Sequence, residues 1–299
     1  MTSFFDEIAK NKVKSMLLMA VFSAFFVGII YVIAIFAGLG IFGLVLGIVL
    51  VGLYAAFVYK SGDKMVLKMS GAVPADKQQY QTLYNLVEGL SSAMQVPMPN
   101  IYIIRDNNPN AFATGRNKKH AAIAVTTGLL SMMGKEELEG VIAHEMSHIG
   151  DNDIQFMMVA VIFAGVIGIV AAFARNMLWF GGLGRGRNNG GGMVIIIALV
   201  LGILAPIFAT LIRLAISRRR EYMADANGAR VIRAPAYLAS ALGKIRDYSN
   251  LQTARPVRRA NEMTAPLYFS SPFSKKSILN LFSTHPPIEE RIDRLKQMY

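Results

Sequence analysis

The chain alternates between long, almost wholly apolar runs and segments in which apolar residues recur periodically. Residues 15–37 and about 40–59 form two such runs, and residues 154–174 and 193–216 form two more. A run of about 20 apolar residues can cross the hydrocarbon core of a bilayer as a helix. The pattern therefore predicts two transmembrane hairpins, the second turning through the glycine-rich segment 181–192. The alternative for the second hairpin is a buried pair of helices in a soluble domain.

Outside these runs the pattern predicts an α+β fold, predominantly α, with a small sheet. Helices are predicted at about 76–95, 221–233, 236–248 and 288–298, and strands at 100–104, 111–114 and 121–126. Residues 250–284 show weak periodicity with several arginines and aromatic residues, which favours a mobile loop or lid.

This pattern divides the chain into four consecutive segments. The first is an N-terminal transmembrane hairpin at 1–59, and the third, at 154–216, is the second hairpin with its connector. The second and fourth segments, 60–153 and 217–299, are the two parts of one polar domain.

The composition is that of an integral membrane protein. Of the 299 residues 54% are hydrophobic, and the mean hydropathy is +0.41. The formal net charge is +12, but the basic residues flank the apolar runs, as they do on the cytoplasmic side of a membrane. We therefore place both termini and the polar domain in the cytoplasm and expect no nucleic-acid partner. The chain has no cysteine, which excludes disulfides and thiolate metal sites.

The polar domain contains one stretch with specific chemistry, the H-E-x-x-H motif that begins at His144. Residues four apart share a helix face, so His144 and His148 can bind one Zn²⁺ through two imidazoles. Glu145 lies on a neighbouring patch, where a carboxylate can accept a proton from water without occupying the metal. The alternative is an ordinary amphipathic helix, but two of the chain's four histidines have this spacing.

A third ligand has to come from another element, and Glu221 is the candidate. It follows the last apolar run, and the second hairpin would return the chain to the membrane face where the H-E-x-x-H motif lies. Asp225, four residues later, can then accept the proton of the non-ligating nitrogen of a zinc-binding histidine. The alternative is a helix N-terminal charge and a solvent-exposed pair of acidic residues.

Four motifs in order resemble those of the HtpX family of bacterial integral membrane zinc metalloproteases, which are related to the CAAX prenyl proteases. They are Asn110–Gly115, His144–His148, Arg219–Asp225 and Ser283–Arg291. The resemblance covers essentially the whole chain. It implies a zincin-like catalytic domain that faces the cytoplasm and holds one Zn²⁺ per chain.

The resemblance also assigns roles to single residues. It implies that His144, His148 and Glu221 are the zinc ligands and that Glu145 is the catalytic base. It further implies that His285 and Arg291 line the cleft and stabilise the oxyanion; taken alone, these two can equally be a loop end and a solvated helix charge.

The segment Asn110, Ala111, Phe112 and Ala113 is a candidate for substrate binding. An exposed strand edge there would pair with the backbone of a substrate by β-augmentation. The alternative is an ordinary turn that leads into a core strand.

Together these features predict a membrane-bound, multi-pass zinc endopeptidase with the lipid bilayer as a partner. The resemblance further implies a protein of the bacterial plasma membrane that cleaves misfolded or damaged membrane proteins, with quality control under stress as its role. One alternative is a non-enzymatic membrane chaperone or adaptor, but structural zinc usually has four protein ligands. A metal transporter would need ionisable residues within the spans, which are nearly free of them.

Overall fold

The computed structural model describes residues 27–28, 31, 39–155, 218–251, 268–269 and 286–298. By its contacts the chain divides into two units, residues 1–58 with 167–205 and residues 59–166 with 206–299. All strands and all but one of the described helices lie in the second unit.

The described part of the chain contains seven α-helices and four strands. The helices are α1 (Gly40–Met69), α2 (Gln81–Met94), α3 (Thr127–Met132), α4 (Lys135–Gly150), α5 (Arg218–Ile232), α6 (Pro235–Asn250) and α7 (Ile288–Lys296). The strands are β1 (Ala72–Pro74), β2 (Asn100–Ile104), β3 (Ala111–Gly115) and β4 (Ala121–Thr126). The prediction of a mainly helical domain with a small sheet is confirmed, although β1 was missed because three residues are too few for a periodicity.

The four strands form one mixed sheet in the order β1-β2-β4-β3. β2 and β4 run parallel, whereas β1 and β3 are antiparallel to their neighbours. Since β3 follows β4 in the order, it lies at the edge of this sheet. The N–H of Thr126 donates to the carbonyl of Asn110 at 3.0 Å, which directs the backbone groups of the next residue, Ala111, away from β4.

Both faces of the sheet are covered. Successive side chains of a strand point to opposite faces, so neighbouring residues belong to different clusters. Ile101, Ile103 and Ile123 belong to the main core, which also contains the buried faces of α2, α4 and α6. Their neighbours along the strands face the opposite side, where they meet the C-terminal part of α1 and Tyr268. The sheet therefore carries apolar side chains on both faces.

Helix α4 lies at the centre of the second unit and packs against both α5 and α6. A Cβ atom on Gly140 would lie 2.7 Å from the backbone nitrogen of Leu238 in α6. A Cβ atom on Gly228 of α5 would lie 3.0 Å from the backbone nitrogen of His144 in α4. Glycine at both positions thus allows the helix backbones to approach more closely than side chains would permit.

Several predicted segments fall outside the described residues. These are the apolar runs at 15–37 and 154–174, except for residues 27–28, 31 and 154–155, the run at 193–216, the glycine-rich connector at 181–192, and most of 250–284. The run at 40–59 lies within α1. Among the helices described, none by itself has both the length and the apolar character needed to cross a membrane; the bent pair Gly40–Tyr54 and Tyr59–Met69 meets that requirement jointly.

The close packing at Gly140 can be tested by adding one methyl group. We expect Gly140→Ala to lower the free energy of unfolding by roughly 1–3 kcal/mol, because the new atom overlaps the α6 backbone. The matched control is Gly243→Ala within α6, where an added Cβ atom would meet none of the described residues within 4 Å; there alanine should stabilise by about 0.5–1 kcal/mol. Thermal unfolding of the purified chain in detergent measures both, and equal midpoints for the two variants would contradict the close contact.

Candidate metal centre

The two histidines of the H-E-x-x-H motif lie side by side on α4, in its buried last turns. His144 is 1% exposed and His148 is 5% exposed. Their Nε2 atoms lie 3.2 Å apart, and the two rings are nearly perpendicular. Both rings therefore direct the same type of lone-pair nitrogen toward one point.

Helix α5 brings a carboxylate to that point. Glu221 is 1% exposed, with Oε1 3.6 Å from Nε2 of His148 and Oε2 3.9 Å from Nε2 of His144. One ligand atom from each of these three residues lies within 4.8 Å of the others. The structure thus brings together the three residues predicted as ligands, one of them separated from the others by more than 70 positions.

The ring nitrogen of His144 that faces away from this point is bound by a second carboxylate. Its Nδ1 lies 2.9 Å from Oδ1 of Asp225, the residue that the sequence offered as a support for a zinc-binding histidine. Asp225 is in turn bound by Arg291 through two hydrogen bonds, Nε to Oδ2 at 2.9 Å and Nη2 to Oδ1 at 2.7 Å. Arg291 is 1% exposed and stacks over the ring of Phe269, with 4.7 Å from Cζ to the ring centroid. These contacts hold the His144 ring by Nδ1, so that Nε2 points toward Glu221.

His148 has an equivalent partner that the sequence reasoning missed. Its Nδ1 lies 3.0 Å from Oδ2 of Asp153, which is 5% exposed. Helix α4 ends at Gly150, and Asn152 adopts a left-handed conformation with φ of 62°, so the chain turns before Asp153. The sequence offered Asp151 and Asp153 shortly after the motif as candidates for this contact. Residues five apart do not share a face of an α-helix, however, so helical spacing does not pair His148 with Asp153.

Glu145 lies beside the metal group but is not part of it. It is 2% exposed, and the backbone N–H of Ala113 in β3 donates a hydrogen bond to its carboxylate. Burial raises the pKa of the Glu145 carboxyl to about 7, and the neighbouring Glu221 charge acts in the same direction, while His148 opposes it. A carboxylate with such a pKa can both accept and release a proton near neutral pH.

The two histidines differ in their electrostatic surroundings. Burial lowers the pKa of His144 to about 4, although Asp225 acts in the opposite direction. Burial alone would also lower the pKa of His148, but its hydrogen bond to Asp153 and the charge of Glu221 outweigh burial and raise the pKa to about 9. The centre is thus rich in negative charge, which favours a bound cation.

The donor set suits a zinc ion. Two imidazole nitrogens and one carboxylate are the ligands of many catalytic zinc sites. In both histidines the Nδ1 atom is held by an aspartate, which leaves Nε2 available as the ligand. His144, His148 and Glu221 are therefore the residues that would hold the metal.

The predicted substrate segment lies at the sheet edge next to this centre. Asn110 is fully buried, and its side chain accepts a hydrogen bond from the N–H of Ala111 at 3.1 Å. The carbonyl of Ala111 accepts a hydrogen bond of 2.8 Å from the N–H of Phe269, and the Phe269 ring packs edge-on against His144. Phe112 faces the opposite side of the sheet against Tyr268. The expectation that this edge is exposed was wrong, because all four residues are buried and Ala111 already pairs with Phe269. Substrate binding by residues 110–113 stays a prediction.

The two predicted oxyanion residues have different outcomes. His285 lies outside the described residues. Arg291 reaches the centre, with Nη2 3.4 Å from Nδ1 of His144 and Nη1 4.0 Å from Oε2 of Glu221. Its shortest contacts, however, are those with Asp225.

Comparison with known proteins gives matches along nearly the whole chain. Residues 77–299 match the family described as Peptidase family M48. A protein named Protease HtpX homolog from Caldanaerobacter subterraneus subsp. tengcongensis is 46% identical over 296 residues, which cover 97% of this chain and 96% of that protein. A Protease HtpX homolog from Streptococcus gordonii is 39% identical over 307 residues, covering 98% and 99% of the two chains.

Among solved structures, Ste24p from S. mikatae superposes with a TM-score of 0.46 at 18% identity, covering 84% of this chain and 64% of that one. The resemblance to the HtpX family is confirmed by the sequence matches. The chain belongs to peptidase family M48 and is a metal-dependent protease.

Proposed function

We propose that the protein is a zinc endopeptidase of the bacterial plasma membrane that hydrolyses misfolded or damaged membrane proteins from the cytoplasmic side. The observation that carries the proposal is the convergence of His144, His148 and Glu221, with Glu145 buried beside them. Three protein ligands leave a coordination position for water or substrate, whereas a structural zinc site is closed by four. This favours catalysis over the alternative of a chaperone with a structural zinc.

The protein's own residues divide the work of hydrolysis. Lewis-acid activation of a water molecule and of the peptide carbonyl is the chemistry that zinc supplies at such a site. Glu145 takes a proton from the attacking water and passes it to the nitrogen of the leaving amine. Its burial and its pKa near 7 suit both transfers.

The negative charge that develops on the carbonyl oxygen in the transition state needs hydrogen-bond donors close to the metal. We assign this role to His285 together with Arg291. Because the Arg291 guanidinium binds Asp225 with its Nε and Nη2 atoms, its contribution includes holding Asp225 against His144. Preorganised donors of this kind can contribute about 2.7–4 kcal/mol to the stabilisation of a transition state.

The membrane assignment depends on the sequence. The four apolar runs at 15–37, 40–59, 154–174 and 193–216 have the length of spanning helices, and lysine and arginine flank them. An exposed face of α1 carries large apolar side chains, among them Ile41, Phe42 and Leu53. A bilayer would cover these side chains, and a catalytic domain on the cytoplasmic face would meet membrane proteins as substrates under stress.

The role of Glu145 can be tested separately from metal binding. We expect Glu145→Gln to retain zinc while turnover of an unfolded protein such as casein falls by about 10²–10⁴-fold, the usual contribution of a general base. The control is Glu139→Gln, a partly exposed residue on the same helix, which should leave both properties unchanged. Zinc content and turnover in detergent give the answer, and near-normal turnover by zinc-loaded Glu145→Gln would refute the assignment.

A metal ligand and a supporting residue should differ in their effect on zinc affinity. We expect Glu221→Ala to release zinc at concentrations where Asp225→Ala still binds it about 10–100-fold more weakly than wild type. Glu221→Gln should be intermediate, since an amide oxygen is a poorer donor than a carboxylate.

Titration against a competing chelator at one pH measures these affinities, because protonation of the ligands competes with the metal. Asp225→Asn is a useful second variant, since alanine would leave the buried Arg291 without its main partner. If Glu221→Ala binds zinc as wild type does, the third ligand lies elsewhere and His285 is the next residue to test.

The topology can be mapped with single cysteines, because the native chain has none. Ser92 is exposed on α2, so Ser92→Cys is a conservative reporter for the catalytic domain. We expect an impermeant thiol reagent to label it only after cells are opened. Asn189→Cys, in the glycine-rich connector, is the counterpart expected outside or within the membrane plane. Labelling of Ser92→Cys in intact cells would contradict the cytoplasmic orientation.

A further inference from the structure

We propose that Asp153, supported by Arg220, is the positioning residue for His148, holding that ring so that Nε2 faces the metal. The inference rests on the proposed zinc function and assigns to the second histidine a partner of the kind that Asp225 provides for the first. Nothing in the H-E-x-x-H motif itself points to this residue.

The first argument is the contact itself. Oδ2 of Asp153 lies 3.0 Å from Nδ1 of His148, within a buried pair whose side chains are 6% and 7% exposed. A carboxylate at this distance accepts a hydrogen bond from the Nδ1–H. In the neutral ring, the form that binds a metal, the proton is thereby fixed on Nδ1 and the lone pair is left on Nε2, the atom that lies 3.6 Å from Glu221.

The second argument is the charge that accompanies Asp153. Nε of Arg220 lies 3.6 Å from Oδ1 of Asp153, so the carboxylate faces a cation on one side and the imidazole on the other. Arg220 directly precedes Glu221 on α5. Helix α5 therefore provides three of the groups: Glu221, Asp225, which contacts His144, and Arg220, which contacts Asp153.

The third argument is the shape of the turn between His148 and Asp153. The N–H of Asp151 donates to Ser147 at 2.8 Å, and the N–H of Asn152 donates to Ile149 at 3.2 Å, which closes the end of α4. Asn152 takes the left-handed conformation that asparagine tolerates better than most residues. Asp151 is tied to α5 by a 2.9 Å hydrogen bond from Asn227. The two residues that precede Asp153 are thus held in place by these hydrogen bonds.

The two histidines are consequently held by similar arrangements with contacts of different length. Arg291 binds Asp225 through hydrogen bonds of 2.9 and 2.7 Å, whereas Nε of Arg220 lies 3.6 Å from Oδ1 of Asp153. Geometry therefore assigns Asp153 the same type of role, with a longer contact to its arginine.

The experiment compares two aspartates of the same turn in the full-length chain in detergent. Asp153→Ala should weaken zinc binding by about 10–100-fold, the typical effect of removing a partner of a ligating histidine. Asp153→Asn should recover part of the loss, because its amide oxygen can still accept a hydrogen bond from the Nδ1–H. Asp151→Ala, which removes the hydrogen bond from Asn227 but leaves the backbone hydrogen bonds of the turn in place, should bind zinc close to wild type.

A second readout observes the ring directly. With ¹⁵N-labelled histidine only four side chains contribute, so the ring resonances are tractable. We expect the hydrogen-bonded Nδ1 proton of His148 to be present in wild type and Asp151→Ala, and to be lost in Asp153→Ala, with and without zinc. Thermal unfolding in chelator reports any general loss of stability in each variant.

The outcomes separate this inference from the proposed function. Wild-type affinity and an unchanged His148 signal in Asp153→Ala would overturn the inference while leaving the zinc enzyme intact. Equal losses in Asp151→Ala and Asp153→Ala would also overturn it, because the turn as a whole would then be responsible. If the wild type binds no zinc, the proposed function fails, and the zinc-free ring spectrum still decides whether Asp153 positions His148.

Discussion

The close approach of α5 to α4 is the constraint on which the metal centre depends. Gly228 lies where a side chain would meet the backbone of Ala143 and His144 at 3.0 Å. Two turns earlier on the same helix Glu221 reaches both Nε2 atoms, and Asp225 reaches the far nitrogen of His144. A helix displaced outward by one methyl group would move ligand and support together, so packing and chemistry are set by the same contact.

The centre concentrates charge that a protein interior tolerates only when it is paired. Four carboxylates, those of Glu145, Asp153, Glu221 and Asp225, are buried around two imidazoles and the guanidinium groups of Arg220 and Arg291. Each aspartate has an arginine and a histidine as partners, whereas Glu221 faces the two Nε2 atoms and Glu145 accepts a hydrogen bond from the N–H of Ala113. A divalent cation would offset the remaining negative charge, and its binding would stabilise the folded state as well as enable the chemistry.

Much of this arrangement could be predicted from the sequence, because helical spacing determines which side chains share a face. The spacing of four residues was enough to pair His144 with His148. Including Glu221 also required the prediction that the second hairpin returns the chain to the same membrane face. Asp153 could not be found in this way, since its contact depends on the left-handed Asn152 and not on a regular period. The pairing of Phe269 with Ala111 and the depth of Arg291 are tertiary facts that no local pattern encodes. Strand β1 was too short to leave a signal.

The distances along the chain between the parts of the centre have a consequence for biosynthesis. His144 and Arg291 are 147 positions apart, and Asp225 precedes Arg291 by 66. A ribosome releases the helix with both histidines long before the residues that hold it in place, and closing loops of this length has an entropic cost. The emerging chain therefore presents His144 and His148 before Arg291, which completes their buried surroundings, has been synthesised. The candidate site can be assembled only near the end of translation.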